Sequence, residues 1–125
     1  MYIGYDAYGK LIKYNSSNYN SNKFSFIYLD IYNKKKEIKS SDLCIIKDVL
    51  QHLCNNDINN LLTYLITNKC YKYILLCNCC NQTNDNIDII NGGWRELNST
   101  MLPLKKYNPI KLFTYNTKEV SLIIL

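Results

Sequence analysis

Short apolar runs alternate with polar segments along the chain, and the spacing of the apolar residues predicts both strands and helices. Six runs have the continuous or alternating apolar character of β-strands: residues 2–6, 24–30, 43–46, 71–77, 110–115 and 120–125. Two segments, residues 7–18 and 57–67, place apolar side chains three and four positions apart, as on one face of a helix. Strands that alternate with helices and end in a strand pair predict an α/β sheet.

The later strands indicate how this sheet is arranged. Residues 71–77 are nearly all apolar after the first positions, which is typical of a parallel strand buried on both faces. The last two strands flank a turn at Asn116-Thr117, and we expect them to pair as an antiparallel hairpin. The polar segment 78–103 is longer than an ordinary connection, and such segments are usually either functional or disordered.

Length and composition predict one domain. The chain has 125 residues, 47% of them hydrophobic, which is enough for one small core. Asn, Ile, Lys and Tyr dominate, and their A- and T-rich codons indicate an AT-rich genome rather than a prion-like segment. No repeat or change in composition divides the chain, so we treat residues 1–125 as a single domain.

The chain is mildly basic, with a net charge of +5 and its Lys residues concentrated at 34–39 and 105–111. A basic field and 12 Tyr residues are compatible with nucleic acid, because tyrosines can stack on bases. The Tyr residues fall mostly within strands and apolar faces, however, where packing is expected. The two groups of lysines are equally explained as a solvated turn and a solvated face of the protein. Nucleic acid is therefore not the favoured partner.

Six cysteines raise the question of metal binding, and they lie in a chain without a secretory signal or a membrane-spanning run. They are Cys44, Cys54, Cys70, Cys77, Cys79 and Cys80. One Cys-x-x-Cys pair and a single histidine do not complete a zinc ligand set of usual spacing. We therefore expect no metal, reduced thiols in the core, no membrane partner and a cytoplasmic location.

Polar side chains gather where predicted strands end. Lys47 and Asp48 follow the third strand, His52 comes shortly after them, and Asp6 and Asp30 end the first two strands. In open α/β sheets ligands bind at the carboxyl ends of parallel strands. These positions are therefore the first candidates for a functional site.

Two segments carry a resemblance to a known family. Residues 47–53 (Lys-Asp-Val-Leu-Gln-His-Leu) and 92–98 (Gly-Gly-Trp-Arg-Glu-Leu-Asn) resemble segments of class I S-adenosylmethionine-dependent methyltransferases. The resemblance is to a bacterial-type group with an Arg-Asp-Val-Leu-x-His-Leu segment and a Gly-Gly-Trp-Arg-x-Leu-Asn loop. It covers nearly the whole chain and implies a Rossmann-like sheet of seven strands with helices on both faces. Lys47 replaces the family Arg, which keeps the charge but loses the bidentate fork.

The resemblance implies a set of cofactor-binding residues. Asp6 matches the acidic residue that holds the cofactor ribose hydroxyls, since a carboxylate can accept two hydrogen bonds from a diol. Asp30 matches the Asp near the adenine amino group, Ile31 would pack on that ring, and Lys47 lies beneath the reactive sulfonium. The alternatives are a helix cap for Asp6 and an ordinary strand-ending carboxylate for Asp30.

The resemblance also implies residues for chemistry. Asp48 and His52 correspond to the segment below the methyl group, where His52 can accept a proton from an acceptor hydroxyl. Trp94 and Arg95 would form part of a lid that excludes water and grips a small hydroxylated or sugar-like acceptor. The alternatives are a histidine packed at a helix start and a tryptophan that anchors a loop.

The chain departs from the family at one essential place. Family members begin with a central strand and a glycine-rich loop beneath the cofactor, whereas here Tyr2 already lies in the second strand. The predicted fold is thus a methyltransferase sheet truncated at its N-terminus, with parallel strands and a C-terminal antiparallel hairpin.

Three interpretations of the missing strand remain open. In the first, the chain is part of an enzyme whose front half is a separate N-terminal half-protein. In the second, the chain is a decayed remnant. In the third, the fold closes the gap by direct strand pairing or as a homodimer. We expect S-adenosylmethionine to bind only if the missing N-terminal part is supplied. A different class of function is a non-catalytic interaction protein that uses its exposed sheet edges.

Overall fold

The computed structural model describes residues 1–19, 21–81, 83 and 87–125. The chain divides into two compact units, Met1–Ile38 and Lys39–Leu125, and each is described by itself. Both units combine strands with helices, so the predicted α/β class is confirmed at this level. The assignment of residues 1–125 to a single methyltransferase-like domain stays a prediction.

The first unit is a strand–helix–strand motif followed by a short helix. Its elements are β1 (Tyr2–Asp6), α1 (Gly9–Asn18), β2 (Phe24–Tyr28) and α2 (Ile31–Lys34), with a 3₁₀ turn at Lys35–Glu37. The strands pair in parallel, as the crossover helix α1 between them requires. Strand β2 ends two residues before the predicted boundary because Asp30 caps α2 instead of extending the strand.

The second unit contains a four-stranded mixed sheet. Its elements are β3 (Leu43–Lys47), α3 (Asn55–Thr67), β4 (Tyr73–Cys79), β5 (Ile110–Tyr115) and β6 (Lys118–Ile124), with 3₁₀ turns at Leu50–His52 and Leu104–Tyr107. The strand order is β3-β4-β6-β5. Strands β3 and β4 are parallel, and the predicted antiparallel hairpin of β5 and β6 is confirmed. The hairpin joins the sheet through β6, which pairs antiparallel with β4.

One face of this sheet supplies the core of the second unit. Alternation along the strands places Ile74 and Leu76 of β4 on the same face as Ile123 of β6, and all three are buried. The apolar face of α3 is equally buried and consists of Ile58, Leu61, Leu62 and Leu65. The predicted amphipathic helix is therefore confirmed, and it begins at Asn55, two residues earlier than expected.

The opposite face of the sheet carries apolar side chains that are exposed. We call them the open face: Leu43, Ile45, Tyr73, Phe113 and Ile124, which the strand register places on the same side. The prediction that residues 71–77 form a strand buried on both faces after its start is confirmed for the middle of β4. Ile74 and Leu76 on one face and Cys77 on the other are buried, whereas Tyr73, at the start of the strand, is 42% exposed. Strand β4 also starts and ends two residues later than predicted.

In the part of the chain that the structure describes, no helix has the length and apolar character needed to cross a bilayer.

Candidate functional site

The site begins where β3 ends, at a residue with an unusual backbone conformation. Asp48 has a φ of 56°, in the left-handed region, and its amide donates to the carbonyl oxygen of Cys77 at 2.9 Å. This conformation costs little for Asp and Asn compared with other residues that have a Cβ. Lys69, Asn108 and Asn116 share the left-handed conformation, so the angle alone does not assign a function. The role of Asp48 in chemistry stays a prediction.

Two lysines hold the Asp48 carboxylate. Lys47 Nζ lies 2.6 Å from Oδ2, and Lys118 Nζ, from the first residue of β6, binds Oδ1. Partial burial works to raise the pKa of Asp48, but the hydrogen bonds from Lys118 and Lys47 outweigh it and leave the pKa below its ordinary value. The same contacts raise the pKa of each lysine.

Lys118 belongs to this cluster, although no sequence pattern singled it out as a candidate site residue. It reaches Asp48 only because β6 inserts beside β4, which places Lys118 opposite Cys79 in the strand register. Sequence separation between Asp48 and Lys118 is 70 residues, and no spacing rule links two such positions.

The cysteines near this cluster make hydrogen bonds with protein groups. Cys77 Sγ lies 3.4 Å from the Tyr115 hydroxyl, and Lys118 Nζ lies 3.9 Å from Cys79 Sγ. The bond with Cys77 raises the pKa of Tyr115. All six cysteines are free, and the described residues contain no cluster of His, Cys, Asp and Glu that could hold a metal ion.

His52 ends the 3₁₀ turn that follows Asp48, and its ring is fixed by the distant loop. Its Nδ1 lies 2.8 Å from the carbonyl oxygen of Gly93, and its own carbonyl accepts from the Gly92 amide at 2.9 Å. Because a carbonyl oxygen can only accept, this contact requires the proton of a neutral His52 to be on Nδ1. Nε2 then carries a lone pair, which is the form a general base needs.

Arg95 lies next to this contact but is buried, with a side chain only 3% exposed. It donates to the carbonyl oxygens of Leu53 and Ile87, each at 2.9 Å, and pairs with Asp88 at 3.4 Å. Burial lowers the pKa of Arg95, and Asp88 opposes that shift. The structure thus gives the guanidinium protein partners, and a grip on an acceptor stays a prediction for Arg95.

Trp94 has the opposite character, since it is 55% exposed. An exposed indole beside a fixed loop suits a surface that receives a ligand, although it suits a partner protein equally well. The predicted role of Trp94 in acceptor binding stays a prediction.

The same loop caps α3. The helix N-cap, Cys54, makes no hydrogen bond through its side chain to the helix amides. Instead Asn91 Oδ1 accepts from the Cys54 amide at 2.7 Å, and Asp88 Oδ1 accepts from the Asn55 amide at 2.8 Å. The long polar segment is therefore attached to the helix start, and Asp88 and Asn91 are residues that sequence reasoning missed.

The predicted cofactor residues of the first unit end its strands. Asp6 Oδ1 accepts from the Tyr8 amide at 2.7 Å, and Oδ2 makes no hydrogen bond with the described residues. Asp30 uses both oxygens, for the Tyr32 amide at 3.0 Å and the Asn33 side chain at 2.8 Å. Ile31 is the first residue of α2 and is half-buried. Asp30 therefore acts as a helix cap, and cofactor binding by Asp6, Asp30 and Ile31 stays a prediction.

Comparison of the chain with models of protein families, with curated proteins and with solved structures found no match. Any function assigned to the site therefore depends on its residues and their geometry. The second unit brings together Lys47, Asp48 and Lys118 in one cluster, and His52 with the Gly92–Arg95 loop in another.

Proposed function

We propose that the chain is the rear part of a class I S-adenosylmethionine-dependent methyltransferase that requires a further strand and a glycine-rich loop. One observation carries the proposal: residues 47–53 and 92–98, on which the sequence resemblance depends, are hydrogen-bonded to each other. The bonds join Gly92 to His52, His52 to Gly93, and Arg95 to both Gln51 and Leu53. Two motifs that are hydrogen-bonded to each other are better evidence for a shared site than two motifs that lie apart in the structure.

The strand pairing is compatible with this proposal. In the described ladders the four edge strands β1, β2, β3 and β5 each have one partner and one free edge, and β1 and β3 are the two that match the family strands beside the missing one. A sheet whose central strand is supplied from elsewhere is expected to expose two such edges. The finer assignment to a Rossmann-like methyltransferase sheet rests on this agreement together with the motifs.

The residues present fit only part of the cofactor. Asp6 has a carboxylate oxygen available for a ribose hydroxyl, but the oxygens of Asp30 are engaged by α2. No described segment provides a glycine-rich turn, because the glycines are Gly4, Gly9, Gly92 and Gly93. Binding of S-adenosylmethionine is therefore proposed only for the assembled protein.

The chemistry of the chain itself is proton transfer and positioning. When bound, S-adenosylmethionine supplies an activated methyl group for direct displacement. His52 accepts the proton of a hydroxyl on a small hydroxylated or sugar-like acceptor, through the bare Nε2 that its contact with Gly93 requires. Lys47 and Asp48 form an ion pair at the end of β3, and the contact of Asp48 with Lys118 ties that strand end to β6, which fixes the start of the segment that leads to His52.

Calorimetry tests the proposal in two steps. We expect the isolated chain to bind S-adenosylmethionine weakly or not at all, and micromolar binding by the chain alone would contradict the need for a further segment. The DNA immediately upstream of Met1 is the place to look for a strand and a glycine-rich turn. Co-expression with that segment should restore binding, and Asp6→Ala should weaken the restored binding.

A second candidate is a non-catalytic interaction protein, and the open face favours it. Five apolar side chains on one sheet face are exposed, and Leu43, Tyr73 and Ile124 are direct neighbours across three strands. Exposed apolar surface of this kind marks interaction sites. The two candidates differ in their response to Asp6→Ala, which should leave partner binding through the open face unchanged.

A further inference from the structure

The contact between His52 and Gly93 joins residues 41 positions apart in sequence, and the local structure around it is unusually constrained. Residues 90–93 form a turn in which the Gly93 amide donates to the carbonyl oxygen of Ile90 at 3.0 Å. The turn presents the Gly93 carbonyl to the His52 ring, so the form of the ring depends on the geometry of the turn.

Both glycines are needed for this turn. Gly92 has a φ of 86°, in the left-handed region that strains residues with a Cβ. A Cβ on Gly93 would lie 3.0 Å from the carbonyl oxygen of Ile90, which is a backbone atom and cannot easily move away. Each position of the Gly-Gly pair therefore favours glycine for a different steric reason.

The turn is attached to the chain on both sides of His52. On the C-terminal side, Asn91 Oδ1 accepts from the Cys54 amide at 2.7 Å, and Asn91 Nδ2 donates to Asp57. On the N-terminal side, the Arg95 amide donates to the Gln51 carbonyl at 3.1 Å. These bonds leave the Gly93 carbonyl little freedom to move away from the ring.

We propose that the turn at residues 90–93 is a positioning element that holds His52 in its Nδ1–H tautomer, with Asn91 as the residue that anchors the turn. The inference rests on the proposed function, since the tautomer has a use only if His52 receives a proton. It goes beyond that function because it identifies the groups that orient the base: the Gly93 carbonyl, the two glycines and Asn91. A backbone carbonyl that fixes the other ring nitrogen is a common way to select a tautomer.

The test uses the fact that His52 is the only histidine of the chain. Long-range ¹H–¹⁵N spectra of the uniformly labelled protein, at a pH where the imidazole is neutral, give the tautomer without any assignment step. We expect a protonated Nδ1 and a bare Nε2. A predominant Nε2–H form, which unconstrained imidazole favours in water, would overturn the proposal.

A pair of variants separates the anchor from general effects on the helix start. Asn91→Ala should raise the population of the Nε2–H form several-fold, whereas Asn56→Ala, an exposed asparagine on the first turn of α3, should leave the spectrum unchanged. An unchanged spectrum for Asn91→Ala would overturn its role as the anchor. If that variant does not fold, as judged by its amide spectrum, the wild-type spectrum still decides the tautomer.

The result is independent of the cofactor experiment. A wild type in the Nε2–H form defeats the positioning role even if the assembled protein binds S-adenosylmethionine. An Nδ1–H form in a protein that never binds the cofactor supports the positioning role while the proposed function fails.

Discussion

Asp48 combines a left-handed backbone conformation with a favourable electrostatic environment. A left-handed φ costs on the order of 1–2 kcal/mol for a typical residue with a Cβ, and less for Asp. The carboxylate in return links Lys47 at the end of β3 with Lys118 at the start of β6. Since Lys118 is only 23% exposed at its side chain, this contact is better shielded from solvent than an ordinary surface ion pair.

Replacement of Asp48 by asparagine tests the contribution of its charge. Asparagine keeps the tolerance for a left-handed φ but loses both ion pairs, so we expect Asp48→Asn to lower the free energy of unfolding by about 1 kcal/mol at pH 7. Because the pKa of Asp48 is below its ordinary value, its contribution is present above about pH 4 and is lost as pH falls through the folded pKa. Urea titrations should therefore show that the difference in the free energy of unfolding between Asp48→Asn and wild type is smaller at pH 3 than at pH 7.

Asp42→Asn is the matched control for that measurement. Asp42 pairs with Lys72 at 2.7 Å, but both side chains are more than two-thirds exposed, at 77% and 71%. We expect a smaller loss of stability than for Asp48→Asn. Equal losses for the two variants would show that the Asp48 cluster is an ordinary surface contact. A deficit of Asp48→Asn that is as large at pH 3 as at pH 7 would show that the loss does not come from the charge of Asp48.

At the scale of elements, α3 depends on residues far away in sequence for its N-terminal cap. Free amides at a helix start need acceptors, and the residue before α3 is a cysteine that does not supply one. Asp88 and Asn91 do so from positions 33 and 37 residues later in the chain. The loop and the helix are therefore expected to unfold together.

Asp88 gives the sharper test of this coupling. Asp88 Oδ1 accepts from the amides of Asn55 and Ile89, so Asp88→Ala removes both hydrogen bonds and should destabilise the second unit by about 1–2 kcal/mol. Asp88→Asn keeps an oxygen at that position and should cost less. Denaturant unfolding followed by circular dichroism measures both, and equal losses for Ala and Asn would mean that the charge beside Arg95 matters more than the cap.

Local sequence patterns predicted the helices and strands of the second unit well. They did not predict contacts between residues that are distant in sequence. Side chains at positions 58, 61, 62 and 65 define the face of α3 by their own spacing, so the helix was predictable to within two residues. The position of Lys118 beside Asp48 was not predictable, because it depends on the insertion of β6 beside β4. Asp88 and Asn91 were missed for the same reason, since a polar loop without periodicity does not reveal which amides it will cap.

The residues of the candidate site also divide into those that a local pattern predicted and those whose surroundings depend on distant segments. Asp48 and His52 were selected because they follow a predicted strand, and the structure places both in constrained positions. The resemblance assigned Arg95 to an acceptor lid, whereas the guanidinium lies among backbone carbonyls of the second unit. An arginine in a motif gives no local sign of burial, because burial is decided by segments that fold over it.

For the molecule as a whole, the open face is the property with the largest expected consequence. Parallel strands normally lie between two layers, yet one face of the pair β3 and β4 is covered over only part of its length. On that face Cys77 is buried, whereas Leu43, Ile45 and Tyr73 are exposed. The outer strand β5 is interrupted by a register shift between Lys111 and Phe113, which discourages further pairing, whereas β3 pairs with β4 in an unbroken register. We therefore expect association through β3 and the open face.

Light scattering of the purified protein should show oligomers or aggregates that grow with concentration. Ile45→Lys introduces a charge at the centre of β3, where the side chain is 57% exposed, and should reduce association without loss of folding. Ile90→Lys is the control, since Ile90 is 85% exposed in the loop and outside the sheet. A wild type that remains a stable monomer at high concentration would show that the open face is tolerated in water, and equal effects of the two lysines would attribute solubility to net charge alone.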